Sequence, residues 1–506
     1  MEVLMPRQSA FFLVLLTLLV LPQPAQADPF EETLARFETY AEKGMRDWQV
    51  PGMAVAVVKG DTIVYAKGFG TKRYGVNRPV DTDTVFQVGS TTKAFTVALM
   101  ATLVDQGKVG WDDRVVDHFP GFMMYDPWVT REFRIHDLFA QHSGMPFYAG
   151  DLQSFIGFDR DHIIHSMRYI KPSYSFRDKF SYVNNLFVAG AKVEEILTGV
   201  TWEELMQERI LDPLRMTRSS MDLAGLTEVS NGSDLHVLVN GKPQPLKTDS
   251  MLLDWPYVYG PAGGLNSSAK DMARWAAAQL NRGRFGSGRI FSEAAAEYMH
   301  MDRTPLKLGE FHGAYCQAWL KTHLKKSTVI WHNGGTSGIC SFVGFSPDLD
   351  MALVVLTNLG SHKLADALGL QFFEMVSGND MDWNARFLAD KKKAEKAAAE
   401  EAEKLKVPSL PGLPLDAYAG TYRSPIYGDL TIYAEKKSLM IRLGATQQIN
   451  VKVAHKTMHT FVGDWIAVDP GDPEYHFDFT VDEDGDVTAI TIREFNQDGT
   501  VTYSRQ

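Results

Sequence analysis

Apolar residues between positions 30 and 370 fall into two interleaved patterns, short strand-like runs and longer stretches at helical spacing. Residues 53–59 (Met-Ala-Val-Ala-Val-Val-Lys) and 62–67 predict two strands of a hairpin turning at Gly60-Asp61. Residues 94–106 predict a helix that stops at Gly107, and residues 186–197 and 268–280 predict two more. Strand-like runs return at 329–332, 339–346 and 351–358. Strands at both ends with helices between them predict one sheet completed by the two ends of this region, an α/β or α+β arrangement.

The pattern then changes. Residues 390–406 are a run of Lys, Ala and Glu, which reads as a solvated helix carrying i,i+4 charge pairs. The proline-rich stretch Pro408-Ser409-Leu410-Pro411-Gly412-Leu413-Pro414 stops any regular structure. Beyond Leu415 the chain is short strands and turns, with runs at 430–433 and 439–443 and turn signals at Asp484-Gly485 and Asp498-Gly499. That spacing predicts a small antiparallel barrel or sandwich. At the other end, Arg7 lies in a short polar opening, residues 11–21 are nearly all apolar, and Ala25-Gln26-Ala27 follows. This is the layout of a secretory signal cleaved after Ala27, and its apolar run is too short to span a bilayer. The expected organisation is a signal over 1–27, a catalytic domain over 28–380, a charged helix and linker over 381–414, and a small β-domain over 415–506.

Composition narrows the function. With 506 residues, 45% hydrophobic and 22% charged, the chain has ample core for more than one domain. A net charge of −11 without a basic patch argues against a nucleic-acid partner. No membrane partner is expected after signal cleavage, and the compartment expected is a bacterial periplasm or the exterior. Cys316 and Cys340 are the only cysteines, and spacing leaves a bridge and two buried thiols equally open. The histidines are scattered without ligand spacing, so no metal and no cofactor is expected.

Three segments carry candidate chemistry. In Ser90-Thr91-Thr92-Lys93 a hydroxyl and an amine three residues apart share one face at the start of the 94–106 helix. A serine hydroxyl needs a neighbouring base to become a nucleophile, and Lys93 is within one turn. Tyr182 and Asn184, two apart ahead of the 186–197 helix, can point into one cleft, where a phenol can relay a proton and an amide can hold a carbonyl. His332-Asn333-Gly334-Gly335 lies after one strand-like run and before another; its glycines let backbone approach a substrate, and a strand edge here could supply one N–H for an oxyanion while the Ser90 amide supplies the other, with a glycine-rich hairpin loop as the plainer reading. Each motif alone is common, and by itself a capping serine, a half-buried tyrosine, a helix-capping asparagine or a glycine-rich hairpin loop is the plainer reading.

Together, in this order, they resemble the serine beta-lactamase and penicillin-binding-protein superfamily, in its class C beta-lactamase-like branch of esterases and peptidases. Ile135 to Met145 (Ile-His-Asp-Leu-Phe-Ala-Gln-His-Ser-Gly-Met) and Pro261-Ala262-Gly263-Gly264-Leu265 resemble two further segments of that family. The resemblance implies an antiparallel sheet flanked by helices plus a helical subdomain. It implies Ser90 as acylated nucleophile, Lys93 and Tyr182 as its proton relay, and Asn184, His332, Gly334 and Gly335 on the substrate side, with Gly335 offering an oxyanion N–H. His142 and Ser143 are assigned packing. The tail resembles the lipocalin-like β-barrel fused to some members, where it covers the cleft, builds a homo-oligomer or stabilises the fold. The implied activity is a secreted serine hydrolase acting on peptides with D- or non-standard residues. A carboxylesterase of small acyl esters, and a penicillin-binding sensor or weak beta-lactamase, are the alternatives. His332 stands where beta-lactamases carry a lysine, and a mostly neutral histidine weakens binding of a carboxylate.

Overall fold

The computed structural model describes residues 29–247, 252–308, 311–379, 381–404, 409–410, 412–463 and 475–506. The signal expected at 1–27 lies outside the described residues, as do positions 405–408 and 411 of the expected linker.

Helix α1 (Pro29–Trp48) leads into the hairpin of β1 (Gly52–Lys59) and β2 (Thr62–Gly70). Helices α2 (Thr92–Asp105), α3 (Asn185–Thr198) and α4 (Ala269–Leu280) follow, embedded in shorter helical turns. Six strands come next: β3 (Thr304–Leu308), β4 (Phe311–Tyr315), β5 (Leu320–His323), β6 (Thr328–Thr336), β7 (Ile339–Ser346) and β8 (Met351–Thr357). The eight strands form one antiparallel sheet in the order β2-β1-β8-β7-β6-β5-β4-β3, so the N-terminal hairpin closes onto the last strand as its pattern predicts.

The continuous apolar run of β1 is explained by cover on both faces. Ala54, Ala56 and Val58 enter the core shared with α2 and α4, while Met53, Val55 and Val57 enter a second core with α1 and helix α5 (Leu364–Val376). Alternate residues of a strand point to opposite faces, so one apolar segment feeds two cores. Helix α2 is buried along its whole length from Thr92 to Leu103, and Phe95 stacks on Trp275 of α4 at 3.9 Å between ring centres. Ser268 caps α4 by accepting a hydrogen bond from the Asp271 N–H.

Two elements differ from the sequence expectation. The segment His332-Asn333-Gly334-Gly335 is not the hairpin loop of its plainer reading but a strand edge, the second half of β6, which runs to Thr336 in register with β7. Its glycines read as loop formers, yet pairing with β7 keeps the backbone extended. The charged helix α6 starts at Trp383, earlier than the charge run suggests, because its first turn packs instead of facing water. Asn384 accepts a hydrogen bond from the Trp48 indole N–H at 2.7 Å, and the Trp383 N–H donates to the Gln371 side chain. Cys316 and Cys340 are buried free thiols.

After α6, strands β9 (Gly420–Ser424), β10 (Gly428–Glu435), β11 (Ser438–Leu443), β12 (Ile449–Thr457), β13 (Thr460–Gly463), β14 (Tyr475–Val481), β15 (Val487–Ile492) and β16 (Thr502–Arg505) close into an eight-stranded antiparallel barrel. Inward residues such as Leu439, Ile441, Leu443, Phe461 and Tyr503 fill its interior. The barrel rests on the segment after Asp151: the Ala445 N–H donates to Ile156 O at 2.9 Å, and Ile426 O lies 2.8 Å from His162 Nε2.

Candidate active site

Ser90 occupies a 3₁₀ turn, Gly89–Thr91, that runs directly into α2. Gly89 takes a positive φ of 55°, and a β-carbon there would lie 2.8 Å from the Gly335 nitrogen, so only glycine fits between this turn and β6. Gly334 is equally confined: a β-carbon would stand 2.0 Å from Val88 O and 3.0 Å from the Ser90 nitrogen. Hydrogen bonds from Ser341 Oγ to Val88 O (2.7 Å) and from Thr336 Oγ1 to Gln87 Oε1 (2.8 Å) tie the strands to the turn. Strand β5 pairs with β6 only as far as Trp331, leaving the edge from His332 to Thr336 unpaired by β5 beside Ser90.

Lys93 is fully buried, with its amine 3.1 Å from Ser90 Oγ. Its other contacts are Asn184 Oδ1 and Ala262 O, both at 2.7 Å, and it stands 4.8 Å from the centre of the Tyr182 ring. Burial lowers the amine to about 7, and the Asp151 charge opposes that shift. A neutral amine has two N–H donors and one lone pair. Asn184 and Ala262 take the donors, so the lone pair is left for the Ser90 hydroxyl proton.

Tyr182 completes the group. Burial holds its pKa well above the usual phenol range, with the neighbouring Ser90 hydroxyl opposing that shift, so the resting side chain is a phenol. The Ile135–Met145 segment holds it in place. Asp137 binds Arg177 and His142, with its carboxyl kept well below the usual range by those partners. Gln141 receives the Ser181 and Val183 N–H groups through its backbone and side-chain oxygens, and the Tyr148 N–H donates to Tyr182 O at 2.8 Å. His142 and Ser143 stay out of the cleft: His142 is bonded to Asp137 and Thr304, and Ser143 Oγ accepts from the Met145 N–H.

Asn184 precedes α3 but its side chain makes no capping bond. Oδ1 receives Lys93, and Nδ2 donates to Asp151 Oδ2 at 2.7 Å. His332 is buried, and burial together with the Lys93 charge lowers it to about 3, so it is neutral at ordinary pH. Its Nδ1–H donates to Asn333 O at 2.5 Å, which leaves Nε2 to accept from the Tyr315 hydroxyl at 3.1 Å. Both ring nitrogens are thus engaged within the protein.

Ser90, Tyr182, Asn184, His332, Gly334 and Gly335 all line one cavity of about 930 Å³, so the structure brings the predicted residues together. It also adds residues the sequence reading passed over. Asp151 and Tyr315 carry no local motif. Ala262 was within reach, because Pro261-Ala262-Gly263-Gly264 stands out as a segment, but its contribution is a backbone carbonyl. The far wall comes from α6, through Arg386, Phe387, Asp390, Lys391 and Ala394, where composition had suggested only a linker. Among the described residues, no group of acidic, histidine or cysteine side chains could hold a metal ion.

Residues 37–370, more than half of the chain, match the Beta-lactamase protein family, and residues 404–504 match a domain of unknown function, DUF3471. The chain is 30% identical over 444 residues to an unguisins hydrolase of Aspergillus campestris, spanning 82% of this chain and 80% of that one. It is 29% identical over 327 residues to penicillin-binding protein 4 of Amycolatopsis lactamdurans, spanning 62% and 81%. In three dimensions it resembles an octameric penicillin-binding protein homologue from Pyrococcus abyssi, with a TM-score of 0.61, 19% identity, and coverage of 90% and 97%. That last likeness is one of fold.

Proposed function

The chain belongs to the beta-lactamase family of serine hydrolases, and on that premise we propose that it is a secreted peptidase or amidase for peptides containing D- or non-standard residues. The observation that carries the acyl-transfer part of this reading is the buried Lys93 amine, 3.1 Å from Ser90 Oγ with its two donor directions filled. Ser90 Oγ attacks the carbonyl carbon while its proton passes to Lys93. The oxyanion is received by the N–H groups of Ser90 and Gly335 at the open edge of β6. As the scissile C–N bond breaks, Tyr182 protonates the leaving amine and regains its proton from Lys93. Water then cleaves the acyl-enzyme with the same relay reversed, and the proton returns to Ser90.

Two features support a peptide over a beta-lactam or a small ester. His332 is neutral and bonded within the protein, so the cleft lacks the fixed cation at that position that would hold a beta-lactam carboxylate. The cavity of about 930 Å³ is at the upper end of the range for small-ligand sites, and its reach to α6 leaves room for several residues. One relative is named for hydrolysis and another for penicillin binding, which suits acyl transfer at a serine.

For export, the support is the composition of residues 1–27; among the described residues, no helix is long and apolar enough to cross a membrane. We divide the chain into a signal, a catalytic unit over 28–380, the α6 connection, and a lipocalin-like barrel from 415. The Pyrococcus protein is described as octameric, and self-association of this chain is checked by light scattering.

The test is a panel of D- and L-aminoacyl amides, short peptides, nitrophenyl esters and a chromogenic cephalosporin ranked by kcat/KM. Peptides with D- or non-standard residues should rank first and the cephalosporin last. A cephalosporin or a small ester ranked first would overturn the substrate assignment.

A further inference from the structure

Asn184 has a side chain that can face either way, and its neighbours decide which. Nδ2 can only donate and Oδ1 can only accept. Asp151 Oδ2, an acceptor, lies 2.7 Å from Nδ2, which forces Oδ1 towards the Lys93 amine, also at 2.7 Å. The flipped amide would set a carbonyl oxygen against a carboxylate and an NH₂ group against the amine. We propose that Asp151 is a positioning residue for acylation, acting on Lys93 through the Asn184 amide. The inference rests on the reading of Ser90 as nucleophile and Lys93 as its base.

The position of Asp151 is itself built. It precedes the short helix Leu152–Phe155 and lines the catalytic cavity. The Tyr259 hydroxyl, fully buried, lies 3.1 Å from Gly150 O and 2.8 Å from Asn185 Oδ1, joining the Asp151 segment to the start of α3. The barrel bonds to the same segment at Ile156.

The groups facing this pair are few. Around Asp151 stand Lys93 and the phenols of Tyr148, Tyr182 and Tyr259, whose pKa values are all raised. Around Lys93 stand Ser90, Tyr182, Phe187, Asn184 and the neutral His332. Among the described residues, Asp151 is therefore the carboxylate whose charge acts on the amine. It has two effects: it orients the acceptor that steers the Lys93 lone pair towards Ser90, and it favours the protonated amine.

Two substitutions separate these effects. Asp151→Asn keeps an acceptor oxygen for Asn184 Nδ2 and removes the charge. Without the charge the amine deprotonates more readily, so the acid limb of kcat/KM should move towards lower pH by about half a unit or more. Asp151→Ala also removes the acceptor, and should in addition lower kcat on the order of tenfold or more with KM little changed. A purely structural Asp151 would change yield or melting temperature and leave the limb in place. Wild-type kcat in Asp151→Ala, or in Asp151→Val where the alanine variant fails to fold, overturns the positioning role, and an acid limb of Asp151→Asn at the wild-type pH overturns the effect of the charge. Labelling of Ser90 by a fluorophosphonate, run alongside, separates the two readings. If Ser90 is labelled and the limb is unmoved, only the Asp151 role fails. If wild-type Ser90 is unlabelled and Ser90→Ala hydrolyses normally, the serine mechanism fails first.

Discussion

Strand β7 of the central sheet is buried at every position from Ile339 to Ser346, whereas β11 of the barrel buries only alternate residues, Leu439, Ile441 and Leu443. The first sheet is covered by helices on both faces; the second has a filled interior and a wet exterior. The edges differ as well. The barrel pairs each strand with two neighbours and closes, while in the central sheet β5 stops opposite Trp331 and leaves the second half of β6 open beside Ser90. A buried, water-poor sheet with an interrupted pairing offers what acyl transfer needs: unpaired backbone donors in a low-dielectric cleft, and burial that brings a lysine amine near 7. A closed barrel offers none of this.

Four substitutions or titrations sharpen the contrast. The largest effect is expected from Lys93→Ala, which removes the base and should lower kcat on the order of 100-fold to 10,000-fold while the fold melts normally by circular dichroism. Next is Gly334→Ala. The added methyl meets Val88 O at 2.0 Å, so β6 must move away from the Ser90 turn, and kcat/KM should fall on the order of 100-fold. Third, the acid limb of kcat/KM should have its midpoint near 7, the value to which burial lowers Lys93. Only the neutral amine accepts the Ser90 proton, so the rate should rise as pH increases through that midpoint and fall about tenfold per unit below it. Because Lys93 is hydrogen-bonded to Ser90 and stands over the Tyr182 ring, the measured midpoint belongs to the group and not to one residue. The smallest effect on catalysis is expected from the barrel. Phe461 packs on Tyr418 and Phe479, and Phe461→Ala should cost about 3–5 kcal/mol of barrel stability in a denaturation curve. The catalytic rate at low temperature should change less than about twofold.

The contrast also explains what could be read from the chain. Strands β1, β7 and β8 and helix α2 announce themselves through long apolar runs, because burial on both faces or all round leaves few polar interruptions, and α3 and α4 through apolar residues at helical spacing. The barrel was legible through its short, evenly spaced strands and its turns. Ser90, Lys93, Tyr182 and Asn184 could be singled out only because their short motifs occur together in the order of a known family, since each spacing alone also fits a cap or a half-buried side chain. For His332 to Gly335 a strand edge and a hairpin loop both stood open, since glycines weaken the strand pattern and the reason for them is a close approach to Val88 and Gly89, far away in sequence. The start of α6 was hidden for a similar reason. Its charge run describes the solvated later turns, whereas Trp383 and Asn384 owe their burial to Gln371 and Trp48. Asp151 could not be found at all, because its partner Asn184 is 33 positions away and an isolated aspartate carries no pattern.

The most direct test of the account is mass spectrometry of the protein quenched during turnover of a peptide or activated ester. The account predicts an acyl adduct on the peptide containing Ser90, more than one equivalent of product released, and neither adduct nor turnover in Ser90→Ala. Sustained hydrolysis by Ser90→Ala, or an adduct on another residue of the wild-type protein, would contradict it.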